Sequence, residues 1–264
     1  MRKLLWLCPP LMLLGAFLIL IFFGFSIRSA VLISLLIVCP VIIIYGVVKT
    51  RALSKEPAAV TKGMPLNWAA PFYDWYCPVI GLGKAFRQKT VELADIRQGH
   101  NVLDVGCGTG VLTTLAAVKT GPEGNVTGID PAPAMIGAAR VSAQREKSMA
   151  QFRVAVIESL PFPDNSFDRV LSSLMLHHLP PDVKLKGLTE VRRVLKPEGR
   201  FLLVDIDRPE SPLWWIIAWP LKLWSHTVEQ VRGNIGGYLQ QAGFRDIKKI
   251  GGWIKILGFW AATK

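Results

Sequence analysis

The nine residues VLDVGCGTG, at positions 102–110, join a mostly apolar run to a turn that holds three glycines. A short apolar run bounded by glycine is typical of a buried strand, and the residues that follow have the spacing of a helix. Glycine tolerates positive φ angles and has no Cβ atom, so a ligand can approach the backbone of such a turn closely. The stretch therefore predicts a strand, a ligand-binding loop and a helix in succession.

The spacing of the glycines distinguishes two kinds of nucleotide site. Dinucleotide-binding folds use GxGxxG, in which the helix N-terminus receives a pyrophosphate. Here the third glycine, Gly110, comes one residue early and Val111 stands at the dinucleotide position. The loop therefore reads GxGxG and departs from the dinucleotide pattern.

Asp130 follows Gly110 by twenty residues, at the end of the next predicted strand. A carboxylate there can accept hydrogen bonds from both ribose hydroxyls, and its charge disfavours a 2′-phosphate. The alternative is that Asp130 caps the helix that begins near Pro131. The glycine loop in register upstream favours the ribose contact.

The chain from about residue 68 onward alternates short apolar runs with longer amphipathic ones, which is typical of βαβ units around a mainly parallel sheet. We predict strands at Asn101–Val105, Asn125–Asp130, 152–156, Phe167–Ser173, 200–205, 244–250 and 254–262. We predict helices at Lys84–Leu93, 111–119, 132–147, 182–195 and 227–241. Seven strands in one stretch predict a single doubly wound, Rossmann-like α/β domain.

Composition excludes several classes of protein. Charged residues make up 19% of the 264 residues and hydrophobic residues 51%, which excludes an intrinsically disordered chain. Cys8, Cys39, Cys77 and Cys107 form no CxxC pair and have no histidine at ligand spacing, so we expect neither a metal site nor a disulfide framework. No basic stripe interleaved with aromatic residues crosses the middle of the chain, so nucleic acid is not an expected partner.

Two uncharged runs, residues 4–25 and 30–48, precede the α/β pattern. Their 22 and 19 residues match the roughly 20 that a helix needs to cross a bilayer. The short link between them requires an antiparallel hairpin, because every backbone group must be satisfied within each helix. Half of the formal net charge of +12 lies in residues 1–63, mostly at the outer ends of the hairpin. The positive-inside rule therefore places the N-terminus and the globular domain in the cytoplasm.

A cleaved signal peptide is the alternative for the N-terminus, because the chain opens with Met-Arg-Lys and a leucine-rich run. The length of the first run, the lack of a small-x-small cleavage site and the second run favour the hairpin. We therefore divide the chain into a transmembrane hairpin at 1–50, a linker at 51–67 and a globular domain at 68–264.

Four motifs, in order, resemble the class I S-adenosylmethionine-dependent methyltransferases, and among them the methyltransferase type 11 group similar to the ubiquinone/menaquinone-biosynthesis enzymes. They are residues 102–110, Asp130, the run ESLPFPDNSFD at 158–168 and the run EVRRVLKPEGR at 190–200. The resemblance covers roughly residues 68–264 and implies a seven-stranded sheet with S-adenosylmethionine as cofactor. It is much less specific for the methyl acceptor.

The resemblance implies particular cofactor contacts. Asp104 and the glycine loop would hold the methionine end, Asp130 would take the ribose, and the residues after the fourth strand would face the sulfonium. The full set of implied cofactor-binding residues is Asp104, Gly106, Cys107, Gly108, Thr109, Gly110, Asp130, Pro131, Met135, Ile157, Glu158, Ser173 and Leu174.

Val156 departs from the family pattern, because related enzymes often carry an acidic residue there that reaches the adenine amino group. In this chain that hydrogen bond would come from Glu158, from the Ile157 backbone or from neither.

Catalysis requires little of the side chains, because a sulfonium already contains an excellent leaving group and the protein mainly positions the reactants. A general base is needed only where the acceptor is a phenol or an enolisable ring carbon. The candidates are His178, His177, Asp205 and Tyr73, and His178 is favoured. Each has a structural alternative: helix-start packing for the histidines, loop capping for Asp205 and aromatic core packing for Tyr73.

Four of the nine tryptophans fall within residues 213–224, beside Lys222. This composition is typical of a segment in the lipid headgroup zone, although a buried tryptophan-rich cap is an alternative. In related folds an insertion here, at about 209–226, borders the acceptor. We therefore expect a membrane-anchored methyltransferase of a small lipid-phase molecule such as a quinone precursor, an isoprenoid or a phospholipid headgroup. Methylation of a soluble metabolite, and cofactor binding without catalysis, are the alternatives.

Overall fold

The computed structural model describes residues 44, 46, 48, 50–54, 56–211, 215 and 228–264. The strands in this part of the chain are β1 (Asn101–Val105), β2 (Asn125–Asp130), β3 (Gln151–Val154), β4 (Phe167–Ser173), β5 (Leu195–Ile206), β6 (Arg245–Trp253) and β7 (Leu257–Thr263). They form one sheet with the order β3-β2-β1-β4-β5-β7-β6. All neighbouring strands are parallel except at β7, which is antiparallel to β5 and to β6. The order reverses at β1, so a cleft is expected at the carboxyl ends of β1 and β4.

Helices connect these strands. They are α1 (Tyr73–Val79), α2 (Lys84–Leu93), α3 (Val111–Thr120), α4 (Pro133–Arg145), α5 (Pro181–Val194), α6 (Val228–Val231) and α7 (Ile235–Gln241), with short 3-10 turns at Asn67–Ala69 and Leu176–His178. Both α4 and α5 begin with proline, which lacks an N–H group and suits the first helical turn, where that group has no partner within the helix.

The central strands direct their side chains alternately into two cores. Leu103 of β1 and Leu203 of β5 belong to a cluster with side chains of α5 and α7, and each is fully buried. Val102 and Leu202, one position earlier on the same strands, belong to a second cluster with side chains of α2 and α3. Both faces of the sheet are covered, which explains why its strands read as nearly continuous apolar runs.

The predicted bounds of β1, β2 and β4 are confirmed residue for residue. The third strand ends at residue 154 rather than 156, because Val156 forms an isolated antiparallel bridge with Ser159 instead. The fifth strand begins at Leu195 rather than at residue 200, because Leu195 pairs with Phe167 across a register shift whose additional residues lie on β5.

Two helix predictions need correction. The helix predicted at 227–241 is interrupted, because Gly233 adopts a φ of +86° and separates α6 from α7. Helix α1 was not predicted, because its aromatic residues fit no simple amphipathic pattern.

The predicted linker at 51–67 packs against α4. Glu56 forms an ion pair with Arg140, and the Asn67 side chain accepts a 3.1 Å hydrogen bond from the Ala134 N–H in the first turn of α4. The C-terminal half of this segment is therefore part of the folded domain rather than a free tether.

The predicted transmembrane spans, 4–25 and 30–48, lie almost wholly outside the described residues, and so does most of the insertion at about 209–226. Among the residues that are described, no helix has both the length and the apolar character needed to cross a bilayer. The hairpin therefore stays a prediction.

Candidate functional site

The glycine loop lies at the carboxyl end of β1, next to the end of β2. The N–H groups of Gly106 and Cys107 both donate to the carbonyl of Ile129, at 2.8 and 2.9 Å. Gly106 and Gly110 have φ angles of +76° and +78°. A Cβ atom at Gly106 would overlap the Met175 side chain. Glycine is therefore required both by the backbone conformation and by the space around it.

Asp130 ends β2 and connects it to the glycine loop. Its Oδ2 accepts a hydrogen bond from the Gly108 N–H at 3.1 Å, and its Oδ1 accepts one from the Ala132 N–H at 2.9 Å. Burial raises the pKa of this carboxyl to about 6, although the two N–H donors act in the opposite direction. Asp130 thus supports the turn before α4, whose N-cap residue is Ala132 and has no side-chain cap, and it also lines the cleft.

Asp104, on β1, is 1% exposed. Its Oδ2 accepts a 2.6 Å hydrogen bond from the Thr113 hydroxyl, whereas Oδ1 has no hydrogen-bond partner among the described residues. Burial raises the pKa of Asp104 to about 7, and the nearby Asp130 contributes in the same direction. A positive group beside this carboxyl would favour its ionised form.

Tyr73, on α1, divides the space above the loop into two compartments. The larger comprises about 660 Å³ and the smaller about 440 Å³, and Tyr73, Gly106 and Leu174 line both. Burial raises the pKa of Tyr73, so its hydroxyl stays protonated. Asp104 and Ser173 border the smaller compartment.

Arg87 also borders the smaller compartment, and the sequence analysis did not identify it. Its guanidinium lies 3.5 Å from Asp74 Oδ1, which accepts a 2.7 Å hydrogen bond from the Thr109 hydroxyl of the glycine loop. The signal in the sequence was that Arg87 precedes the buried Val91 by four residues, which places a charge on the apolar stripe of α2.

One wall of the larger compartment comes from the predicted linker. The residues in this wall are Thr61, Gly63, Met64, Pro65 and Leu66. The N–H of Ala59 donates to the carbonyl of Pro131, and the N–H of Met64 donates to the carbonyl of His178, each at 3.3 Å. These contacts join residues far apart in sequence, so no local pattern indicated them.

Val156, Ile157 and Glu158 line the larger compartment near Met135. Val156 presents an aliphatic side chain where related enzymes often carry an acid. Glu158 Oε2 is buried, and it has no hydrogen-bond partner in the described part of the chain. Glu158 therefore supplies an acceptor close to the position that Val156 leaves apolar.

The two histidines occupy different environments. His178 lines the larger compartment, and burial together with the neighbouring His177 lowers its pKa to about 3. His177 Nδ1 lies 2.7 Å from Oδ1 of the fully buried Asp205. Burial acts to raise the pKa of Asp205, but the pairing with His177 leaves it below its ordinary value. The ring centroids of the histidines are 3.9 Å apart.

The motif at 190–200 holds the motif at 158–168 in place. Glu190 accepts a 2.9 Å hydrogen bond from the Leu160 N–H, and Arg193 donates one of 3.0 Å to the Leu160 carbonyl. Arg193 also forms a bidentate pair with Glu190. This clamp positions the loop that borders the larger compartment.

Most of the predicted site residues meet around the two compartments. Those in the walls are Tyr73, Asp104, Gly106, Cys107, Gly108, Thr109, Asp130, Pro131, Met135, Ile157, Glu158, Ser173, Leu174 and His178. Gly110, His177 and Asp205 lie outside those walls; Gly110 shapes the loop, and His177 with Asp205 supports the His178 ring from behind.

Comparison with known proteins agrees with this geometry. A family model described as a methyltransferase domain matches residues 102–199. The chain is 37% identical over 151 residues to the demethylmenaquinone methyltransferase of Listeria welshimeri, which covers 55% of this chain and 62% of that protein. It is 32% identical over 187 residues to the uncharacterized methyltransferase sll0829 of Synechocystis, which covers 67% of this chain and 84% of that protein.

A solved structure supports the same fold. The S-adenosylmethionine-dependent methyltransferase from Aquifex aeolicus matches with a TM-score of 0.54 and 24% identity, over 67% of this chain and 88% of that chain. The similarity covers only 62% of the length of the Listeria relative. It therefore describes a shared domain rather than the full length of the two proteins. The extended match to the Synechocystis protein, the family model and the strand order agree that the chain belongs to the class I S-adenosylmethionine-dependent methyltransferases.

Proposed function

We propose that the protein transfers a methyl group from S-adenosylmethionine to a small, lipid-phase acceptor, with a quinone precursor as the leading candidate. The observation that carries this proposal is the glycine loop joined to Asp130 at the topological switch point, directly beside an apolar compartment. The named Listeria relative is a demethylmenaquinone methyltransferase, which supports a quinone precursor as the acceptor.

The residues around the two compartments fit S-adenosylmethionine. Asp104 Oδ1 is an unpaired acceptor among the described residues and suits the ammonium group, and Glu158 Oε2 is a second that suits the adenine amino group. Asp130 still has lone pairs for the ribose hydroxyls after accepting its two backbone hydrogen bonds. Gly106 leaves open the space that a Cβ would fill.

When bound there, S-adenosylmethionine would supply a methyl group on a positively charged sulfur. The carbon–sulfur bond would break as the acceptor bonds to the methyl carbon, a neutral thioether would leave, and the proton that the acceptor loses would pass to solvent. The chain aligns the two reactants and keeps water away from them. His178 is uncharged at physiological pH, so it adds no repulsion beside a sulfonium. Its pKa of about 3 makes it a weak base, which suits a role in orienting an acceptor hydroxyl through a hydrogen bond.

The character of the acceptor follows from the apolar part of the wall of the larger compartment. Met64, Leu66, Met175 and Leu179 line the space near His178 and offer mainly carbon and sulfur surface. Apolar side chains with a few polar groups are typical of sites for hydrophobic small molecules. The predicted hairpin and the tryptophan-rich insertion support an acceptor drawn from the membrane, with the globular domain on the cytoplasmic side.

The test is a methylation assay on the full chain reconstituted in vesicles that contain a demethylated menaquinone precursor. Methyl-labelled S-adenosylmethionine is added, and lipid and aqueous extracts are counted separately. We expect label in the lipid extract, and none with Gly106→Ala. Label confined to the aqueous extract would contradict the lipid-phase acceptor. Cofactor binding without label in either extract would contradict catalysis.

A further inference from the structure

Helix α1 is apolar on its outer side as well as on its inner side. Tyr73 and Cys77 point inward, where Tyr73 lines both compartments and Cys77 is buried. The outward residues are Trp75, Tyr76, Val79 and Ile80, exposed by 40%, 51%, 69% and 38%. Surface helices of soluble domains carry mainly polar residues on the outer side, so four exposed apolar side chains against one exposed acid, Asp74, indicate a second apolar environment.

The turn between β6 and β7 extends this surface. The Trp253 indole N–H donates a 2.8 Å hydrogen bond to the carbonyl of Gly81, which attaches the turn to the end of α1. Ile254 is 38% exposed and has a φ of +42°. Ile254 and Lys255 both have positive φ angles, as the tight turn between two antiparallel strands requires. We call Trp75, Tyr76, Val79, Ile80 and Ile254 the α1 patch.

The charged residues at the edges of the α1 patch that form no ion pair with another described residue are lysines. Lys84 and Lys255 are exposed at its edges. The acidic residue of α1, Asp74, already accepts a hydrogen bond from the Thr109 hydroxyl and lies beside Arg87. Aromatic and aliphatic side chains flanked by lysine are the composition that binds the headgroup zone of anionic membranes.

Both segments with membrane-like composition join the domain beside the α1 patch. Gly46, near the end of the uncharged run 30–48, packs close to the ring of Phe72, the residue directly before α1. The Glu210 N–H donates to the carbonyl of Lys255, so the tryptophan-rich insertion at about 209–226 begins at the same turn. A bilayer that holds these two segments would lie at this face of the domain.

We propose that the α1 patch is a membrane-contact surface that rests in the headgroup zone of an anionic bilayer. The proposal rests on the membrane attachment proposed above and adds the orientation of the domain. Because Tyr73 occupies the inner side of the same helix, the compartments lie directly behind the membrane-facing surface. An acceptor dissolved in the bilayer would then reach the cleft past α1 without crossing water.

The test compares two matched valines in the full chain. Val79, in the α1 patch, is 69% exposed, and Val118, on α3, is 76% exposed. Cys8 and Cys39 are replaced by serine, and Cys77 and Cys107 are buried, so Val79→Cys or Val118→Cys supplies the reactive thiol for an environment-sensitive fluorophore. Each protein is placed at one copy per nanodisc of phosphatidylcholine and phosphatidylglycerol, which excludes a second copy as the covering surface.

We expect the label at position 79 to shift to shorter emission wavelengths and to lose emission in discs made with brominated lipid, while the label at position 118 does neither. Quenching at neither position, or equally at both, would overturn the proposal. So would a wavelength shift at position 79 without lipid quenching, because another part of the chain would then cover the patch. Calorimetric cofactor binding on the same samples tests the proposed function separately, since its loss would leave the quenching result unaffected.

Discussion

The Gly108 N–H donates a 3.1 Å hydrogen bond to Oδ2 of Asp130, which ties the glycine loop to the end of the neighbouring strand. The same carboxylate lines the cleft where a ribose would lie. One side chain therefore shapes the loop and lines the proposed ligand site, and both roles would be lost together on its removal. This coupling explains why the loop and an acid twenty residues downstream occur as one pattern in the sequence.

Asp130→Ala should weaken binding of S-adenosylmethionine by at least about tenfold, because hydrogen bonds to charged groups contribute about 1.5–3 kcal/mol each. The affinity of Asp130→Asn for the cofactor should lie between those of the parent and of Asp130→Ala. Its amide oxygen can accept a hydrogen bond from only one of the two backbone N–H groups, and its NH2 group faces the other. Isothermal calorimetry measures both. Asp246→Ala, at an exposed aspartate on β6, is the matched control and should bind normally. Unchanged binding in Asp130→Ala would remove this residue from the site.

Gly106→Ala should abolish measurable cofactor binding, because the new methyl group would displace Met175 and narrow the cleft. Gly99→Ala is a stringent control: Gly99 has the same φ of +76°, but no atom lies within 4 Å of the position its Cβ would take. Both variants should lose about 1 kcal/mol of stability from backbone strain. Equal cofactor binding by the two variants would show that the space beside Gly106 is unimportant.

Asp104→Asn should stabilise the protein at alkaline pH while weakening its cofactor binding. The pKa of about 7 in the folded state lies above the ordinary 3.8, so stability from this group is present below pH 3.8 and is lost as the pH rises toward 7. The free energy of unfolding of Asp104→Asn should therefore exceed that of the parent at pH 8 by up to about 4 kcal/mol, with little difference near pH 4. Urea unfolding at both pH values tests this. A loss of stability at pH 8 would contradict the assignment.

Glu158→Ala should reduce the preference of the protein for a ligand with adenine over the same ligand with hypoxanthine. The buried Oε2 would accept a hydrogen bond from the 6-amino group, so replacing that group by oxygen in the ligand leaves two acceptors opposed. The parent should prefer S-adenosylhomocysteine to its inosine analogue by about tenfold or more, and the variant should bind the two similarly. Competition binding measures the ratio. A preference unchanged in Glu158→Ala would assign the adenine contact to the backbone near Ile157.

His178→Asn should make the protein more resistant to mild acid. The folded-state pKa of about 3 lies below the ordinary 6.5, so the unfolded chain binds a proton at pH values where the folded chain does not. Stability from this group is therefore lost as the pH falls from 6.5 toward 3, at up to about 1.4 kcal/mol per pH unit. The difference in unfolding free energy between parent and variant should therefore change with pH at up to that rate when it is measured from pH 7 to pH 5. A constant difference would contradict a buried, neutral imidazole.

The sequence predicted the central strands well because the patterns that indicate each strand lie within it and in the turn that follows it. Strands β1 and β2 are short apolar runs ended by the glycine loop and by Asp130, and their predicted bounds are confirmed. The site residues nearest the glycine loop were also predicted, because they directly follow the ends of strands in the sequence. Patterns that repeat within ten residues, together with turn residues, suffice for such elements.

Other features depend on contacts between distant residues. Residues 61–66 read as a linker because nothing near them in sequence reveals the hydrogen bonds from Ala59 to Pro131 and from Met64 to His178. The early start of β5 depends on the pairing of Leu195 with Phe167 of β4, across a register shift whose additional residues lie on β5 itself. Arg87 borders the site because α2 packs against α3. Helix α1 owes its position to the inward side chains of Tyr73 and Cys77, which pack against the core.

The most direct measurement is a calorimetric titration of the purified full chain with S-adenosylmethionine and with S-adenosylhomocysteine. Saturable binding of both compounds at one site per chain, weakened at least about tenfold by Asp130→Ala, is the predicted result. A chain that shows folded circular dichroism yet binds neither compound would contradict the account at its centre.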